Sequence, residues 1–304
     1  MVIDGFPVKR TARLDSYRRK AGLWFVIPAF SFIFTFMVYP LLRSFYLSLT
    51  EYNFAYDAAP RFVGLRNYVK MCSDPYFVIA LKNSLTFAAF FFSSVMVISF
   101  MLALLANKPL QASGFFRTAI FLPLVVPLAL TGIIFQWILN DDYGLLNYLL
   151  VDVLHLPSLA RNWLTDQTWA MCSIILISLW KYTGIAFVLY LVGLQAIPRY
   201  LYEAASIDGA NTFRQLVHIT LPQLRETFAV TAMWAILQSL KVFEQSFVMT
   251  GGGPGSATLV LYQYSWQNAF QYYDVGYASA IGYSLGLLIF LLFLINLRIN
   301  RSRA

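Results

Sequence analysis

Ionised side chains are scarce in this chain: Asp, Glu, Lys and Arg make up 12% of its 304 residues, against 59% hydrophobic and 17% aromatic. A soluble protein of this size cannot cover its surface with so little charge, so lipid rather than water is its main solvent. Cysteine and histidine number two each. Cys172 falls in a long apolar run and Cys72 in a polar connection, so no disulfide is expected between them, and so few ligands exclude a metal cluster. No G-x-x-x-x-G-K-[ST] loop occurs, so the chain by itself cannot hydrolyse ATP by the P-loop route. Internal repeats and low-complexity stretches are also missing. Gly282-Tyr283-Ser284-Leu285-Gly286 fits the expression G-x-S-x-G, but a nucleophile elbow needs a strand, a sharp turn and a histidine partner. In an apolar run, glycines four apart predict a close helix-packing face instead. Asp141-Asp142 has neither a third ligand nor a basic clamp and is expected to be a solvated helix end.

What the chain does have is long apolar runs. Six reach the length of about 20 residues that a membrane helix needs: Leu23 to Leu42, Leu85 to Leu105, Thr118 to Leu139, Trp169 to Leu191, Phe228 to Met249 and Ala278 to Leu297. The fold class is therefore all-α, a polytopic protein with six transmembrane helices. The first run is too long for a signal-peptide core and has no small-residue cleavage site, so it stays as an anchor. Basic residues divide unevenly between the connections. Fourteen Lys and Arg fall on the side of the two termini, among them Lys9, Arg10, Lys108, Arg117, Arg199, Arg214 and Arg301, against six on the other. That asymmetry predicts both termini in the cytoplasm, with a basic segment 1–22 before the membrane domain 23–297 and a basic tail 298–304 after it. It also explains the formal net charge of +8 without nucleic acid, since no basic stripe with interleaved aromatics lies on one face. His155 and His218 then fall on opposite sides and form no joint site.

Prolines and glycines predict irregularities. Pro28 and Pro40 bracket the first span, and Pro123 and Pro127 sit in the first half of the third. A carbonyl freed by proline must find another donor in hydrocarbon, so these kinks are expected against protein or a wet cavity. Thr250-Gly251-Gly252-Gly253-Pro254 cannot continue a helix and predicts a break at the outer end of the fifth span.

Between the fourth and fifth spans lies the one extended polar connection with a strong internal pattern. Pro198 can open a short helix at Arg199; Gly209 just after Asp208 supplies a residue that tolerates positive φ; Asn211 or Thr212 can cap the next helix. There Phe213, Leu216, Val217 and Leu221 recur at helical spacing and make an apolar face that something must cover. The order Glu203-Ala204-Ala205, three residues, Gly209, nine residues, Ile219, one residue, Leu221-Pro222 resembles the cytoplasmic loop signature of ABC importer permeases, with every position matched. Where that family often has a second proline, this chain has Glu226. Phe62-Val63-Gly64-Leu65-Arg66-Asn67-Tyr68 and Asp74-Pro75-Tyr76-Phe77, in a connection expected to be an external loop over Thr50 to Asn83, are similar to the carbohydrate-uptake branch related to the first maltose-importer permease, which also serves glycerol phosphate diesters.

The resemblance implies an importer-permease fold in which the hairpin 198–226 is a coupling helix seated in a cleft of an ATP-hydrolysing subunit. The residues it assigns to coupling are Glu203, Ala204, Ala205, Asp208, Gly209, Phe213, Ile219, Leu221 and Pro222. It implies a second homologous permease, two ATPase subunits that carry the ATP and Mg, an extracytoplasmic solute-binding protein and a carbohydrate substrate. No cofactor is expected on this chain, which is not expected to be an enzyme. For the substrate path the residues point to Gln238, Lys241, Glu244 and Gln245 in the fifth span, with Trp180 and Tyr182 in the fourth. Charge at that depth is costly and usually faces inward, either lining a path or as an ion pair Lys241–Glu244 at three-residue spacing. A competing reading, an ion-coupled secondary transporter or channel, needs intramembrane carboxylates, for which Glu244 is available, and leaves the hairpin unexplained. An intramembrane enzyme is disfavoured by the scatter of His, Ser and Asp.

Overall fold

The computed structural model describes residues 24–107 and 113–301. The basic segment 1–22, Leu23, Lys108 and Arg303 lie outside the described residues. In chain order the principal elements are α1 (Trp24–Ser48, with a π-helical stretch Phe34–Val38), β1 (Thr50–Glu51), β2 (Arg61–Phe62), α2 (Arg66–Ser73) and α3 (Pro75–Ala106). Then come α4 (Ser113–Val125), α5 (Leu128–Ile138), α6 (Gln167–Ala196), α7 (Arg199–Ile207) and α8 (Thr212–Gln215). The last four are α9 (Arg225–Leu240), α10 (Glu244–Thr250), α11 (Leu261–Phe270) and α12 (Val275–Arg301).

Among the described residues, α1, α3, α6 and α12 are long and apolar enough to cross a membrane. The pair α4 and α5 has together the length and apolarity of a fifth crossing and is bent by 99° at the break between its helices. The expected span Thr118 to Leu139, with its expected proline irregularity, is thus two helices, because Pro127 cannot donate to the carbonyl of Pro123. The expected span Phe228 to Met249 is interrupted as well: α9 has 16 residues and α10 has 7, with Lys241 to Phe243 between them, so neither alone has the length of a crossing.

Local chemistry sets the helix ends. Asp74 Oδ1 accepts from Tyr76 N at 2.9 Å with Pro75 in the first position of α3, and Asp166 Oδ1 accepts from the N–H groups of Thr168 and Trp169 to start α6. The region expected as an external loop up to Asn83 is more regular than that. β1 and β2 pair antiparallel with Thr50 opposite Phe62, α2 follows, and Tyr76 to Asn83 already belong to α3. Gly251 and Gly252 take φ of +63° and +93°, ending α10 at Thr250 where the glycine run predicts it.

The centre of the bundle is α6, which packs on α3, α4 and α9. Lipid tails are as apolar as leucine, so close approach rather than apolarity holds such helices together. A Cβ on Gly184 would lie 2.8 Å from the carbonyl oxygen of Ile120 in α4, and one on Gly193 would lie 2.9 Å from Leu224 Cδ2. Phe87, Phe91, Ile174 and Val95 fill one part of the core, and Phe100, Phe187, Tyr190 and Leu224 fill the part nearest the hairpin. At the opposite end Asp74 joins three helices by accepting from Tyr264 Oη at 2.7 Å and Tyr277 Oη at 2.5 Å. Burial works against the charged carboxylate, but these hydroxyls and the N–H groups of Phe77 and Tyr76 outweigh it and hold Asp74 below its ordinary carboxyl pKa.

Gly282 and Gly286 do not make the expected close packing face. They open on a groove of about 620 Å³ beside α1, and nothing lies within 4 Å of where a Gly286 side chain would begin. Here α1 meets α12 through Tyr283 Oη, which donates to Leu41 O, and through Ser44 and Ser279.

Candidate functional site

Two regions carry the residues singled out from the sequence, one a surface hairpin and the other an interior cavity. In the hairpin, α7 starts after Pro198 and ends in a left-handed turn. Gly209 has φ of +78°, and the N–H of Ala210 reaches back to Ala205 O at 2.8 Å, which satisfies a carbonyl the helix end would otherwise orphan. Of the two possible caps for the next helix, Asn211 is the one used, its Oδ1 accepting from Arg214 N at 2.9 Å. The second arm runs through α8, a π-helical turn Leu216–Thr220 and a short helix Leu221–Gln223. Tyr202 Oη and Thr220 Oγ1 bond at 2.9 Å across the two arms, and Gln215 Nε2 donates to Ser206 Oγ at 2.9 Å. The hairpin is therefore braced from within.

Its apolar residues divide. Leu216 and Ile219 turn inward and pack on the core around Tyr190 and Leu224. Phe213 is 71% exposed and Ile207 87%, with Tyr200, Val217 and Leu221 also open. Glu203, Ala204, Asp208, Gly209 and Pro222 share the exposed surface, and Ala205 is half-buried. The exposed Ile207 and Tyr200 escape the periodicity argument, because α7 is too short for a clear apolar stripe.

The cavity, of about 260 Å³, lies at the interruption between α9 and α10. Gln238, Lys241, Glu244, Gln245 and Tyr182 all line it, together with Phe87, Phe91, Leu128, Phe243 and Tyr262. Lys241 and Glu244 are not on one continuous helix as their spacing suggests, since α9 ends at Leu240 and Phe243 has φ of −147°. Among the described residues no ion pair joins them. Gln245 is fully packed at 2% exposure. Trp180 is not brought to the cavity: it is 45% exposed and meets Phe135 edge-on. Consecutive helical positions point about 100° apart, so Tyr182 and Trp180 cannot share a face.

Around the cavity runs a set of rings. Phe91 meets Tyr182 edge-on, while Phe243 stacks on Phe247 at 5.3 Å and lies 5.3 Å from Tyr262 and 5.9 Å from Trp266. Sequence reasoning missed Phe87, Phe91, Phe243 and Tyr262 at this site; among 27 Phe and 19 Tyr, no local signal marks them. Chemically the cavity offers an amine, a carboxyl, two amides and two phenols against flat apolar faces.

Residues 96–303 match the family described as binding-protein-dependent transport system inner membrane component. The chain belongs to that family. The permease is 33% identical over 303 residues to the sulfoquinovosyl glycerol transport system permease SmoG of Agrobacterium fabrum, covering 99% of this chain and 97% of that one. It is 32% identical to the trehalose/maltose transport system permease MalF of Thermococcus litoralis, covering 96% and 98%. Among solved structures, a chain of a bacterial alginate ABC transporter, crystallised with an alginate pentasaccharide-bound periplasmic protein, shares the permease fold with a TM-score of 0.82 at 22% identity, over 95% of this chain and 96% of that one. The permease is thus a membrane subunit of a multi-pass kind, with several apolar helices of spanning length.

Proposed function

We propose that this permease is one half of the translocation path of an ATP-driven, binding-protein-dependent importer of a carbohydrate. It crosses the inner membrane six times, α9 with α10 making the fifth crossing in chain order, and both termini and the hairpin 198–226 face the cytoplasm. The other half of the path is a second, homologous permease. Two ATPase subunits bind ATP and Mg, and a solute-binding protein delivers the sugar from outside. The observation that carries the reading is the hairpin: a rigid, internally bonded projection whose Ile207 and Phe213 stand in the open while its matched Glu203, Ala204 and Gly209 lie beside them. Large apolar side chains exposed on a braced projection fit a partner's cleft. When the ATPases close, two such hairpins approach each other and turn the attached helices as rigid bodies.

For the cargo, the cavity at the α9–α10 interruption supports a sugar: amide and phenol groups suit hydroxyls, and the Phe and Tyr faces suit the apolar side of a pyranose ring. The relatives named for a sulfoquinovosyl glycerol and for trehalose and maltose point to the same class.

Co-purification tests the first claim. Glu203→Lys is expected to lower the amount of ATPase recovered with the permease from detergent by about tenfold, and recovery equal to wild type removes Glu203 from the interface. Uptake tests the second. Lys241→Met and Glu244→Gln are expected each to lower sugar uptake severalfold with ATPase recovery unchanged, whereas full uptake in both leaves the cavity without a part in transport.

A further inference from the structure

The break in the third span is closed by a side chain from another helix. Pro127 has no N–H, so the carbonyl of Pro123 has no helical donor, and the turn at Val126 and Pro127 leaves Leu124 O and Val126 O without theirs. Past the break the helix looks after itself: Pro127 O accepts from both the N–H and the Oγ1 of Thr131. Before the break the donors come from α6. Lys181 Nζ donates to Pro123 O at 2.7 Å, to Leu124 O at 3.0 Å and to Val126 O. Three ammonium protons thus meet three of the stranded carbonyls. Lys181 is 5% exposed, and among the described residues it has no carboxylate partner. One turn along α6, Gly184 brings that helix against the backbone of Ile120 and Phe121, which fixes where the ammonium reaches.

The geometry points to Lys181 as the positioning residue that sets the bend of the broken span. An uninterrupted helix with an ordinary residue at 127 would pair the N–H groups of residues 127, 128 and 130 with the carbonyls of 123, 124 and 126, the same three that Lys181 takes. Lysine and helix continuity are therefore alternatives for one set of acceptors. With Lys181 in place the bent form keeps a donor on each of these three carbonyls; without it, straightening recovers two donors and bending recovers none. The bend matters because Leu128, the first residue beyond it, and Tyr182, the neighbour of Lys181, both line the cavity. Gly132 seats the outer helix α5 on Val248 of α10, so the lysine also determines where α10 stands over the cavity.

The test reads the bend itself and needs no knowledge of the cargo. Spin labels are placed at Phe116→Cys and Trp137→Cys, both on exposed surface, in full-length permease carrying Cys72→Ser and Cys172→Ser and reconstituted in nanodiscs with whatever subunits co-purify. Each site lies about ten residues from the break, so at 1.5 Å per residue a bend of 99° puts the backbones about 20 Å apart and a straight helix about 30 Å apart. Lys181→Met is expected to move the distance distribution outward by several ångströms, and adding Pro127→Ala to carry it to the straight value. A Lys181→Met protein with the wild-type distance overturns the assignment, whatever its activity. Should Lys181→Met fail to accumulate in membranes, the Pro127→Ala, Lys181→Met double variant is expected to restore accumulation, because the backbone then supplies all three donors; failure of the double variant too overturns it.

Discussion

The third and fifth apolar runs are both interrupted, and for different reasons. In the third the break is covalent in origin: Pro123 and Pro127 remove backbone donors, and Lys181 from α6 serves the carbonyls left over. In the fifth, Lys241, Val242 and Phe243 contain neither proline nor glycine, yet α9 stops at Leu240 and α10 begins at Glu244. There the chain turns so that Val242 and Gln245 are buried, Lys241 and Glu244 reach the cavity, and Phe243 enters the ring cluster with Phe247, Tyr262 and Trp266. A break built on missing N–H groups is fixed in place by the chain itself, with a neighbour setting its angle, whereas one built on the demands of side chains exists only while neighbours satisfy them. The outer halves of the two spans, α5 and α10, pack on each other, so the two breaks bend around a common contact.

Substitutions at the contacts of each break can separate the two cases. The largest effect is expected from Gly184→Val, which drives a side chain into the backbone at Ile120, where the neighbour cannot swing away. A loss of about 3 kcal/mol follows from overpacking of this kind, measured as a fall in thermal unfolding temperature in detergent. Phe243→Ala comes next. Removing a half-buried ring from its stack should cost about 2 kcal/mol and, if side chains hold the second break, increase hydrogen exchange at Lys241 to Glu244 while leaving Val125 to Leu128 unchanged. Equal exchange at both sites would mean the two breaks share one cause. Gly132→Ala should cost about 1 kcal/mol, because its new methyl meets Val248 Cγ1 at 2.9 Å, a side chain that can rotate.

The smallest effects lie outside the spans. Asp74→Asn should cost about 1 kcal/mol through weaker acceptance from Tyr264 and Tyr277. Because the folded Asp74 carboxyl titrates below its ordinary value, its stabilising share is full above the unfolded value of about 4 and disappears as pH falls through the folded one. A stability profile taken downward from pH 5 should therefore fall more steeply for wild type than for Asp74→Asn. Gly209→Ala should cost about 1 kcal/mol by strain at φ of +78°, since nothing stands within 4 Å of the added methyl.

Much of this could be read in advance where a residue acts on its own backbone. Gly209, the glycines at 251–253 and Pro127 each restrict their own backbone, and the hairpin turn and two of the chain breaks, though not the angle at Pro127, follow from them. Long apolar runs likewise report α1, α3, α6 and α12, though not their boundaries, since helices extend past the apolar stretch whenever a cap such as Asp74 lies beyond it. The helix α11 was not anticipated, because Leu261 to Phe270 mixes polar and aromatic residues without a clean period. Trp180, Lys181 and Tyr182 are consecutive in sequence, yet the fold sends them in three directions, to an exposed face, to α4 and to the cavity.

Composition and spacing alone thus determined an apolar all-helical chain, the turn of the hairpin and the site where proline interrupts a helix, because each depends on solvent transfer or on a single residue's permitted dihedral angles. Tertiary packing decided which apolar helix lies inside. The apolar stretches of α1 and α6 are about equally hydropathic, yet no residue of the first is buried while 67% of those of the second are. It also decided that Lys181 serves carbonyls and that Lys241 and Glu244 share a cavity without pairing. Hydropathy measures the cost of leaving water, which is the same on either side of a helix; partners depend on which backbone comes close, and that is set by contacts such as Gly184 on Ile120, far apart in the chain.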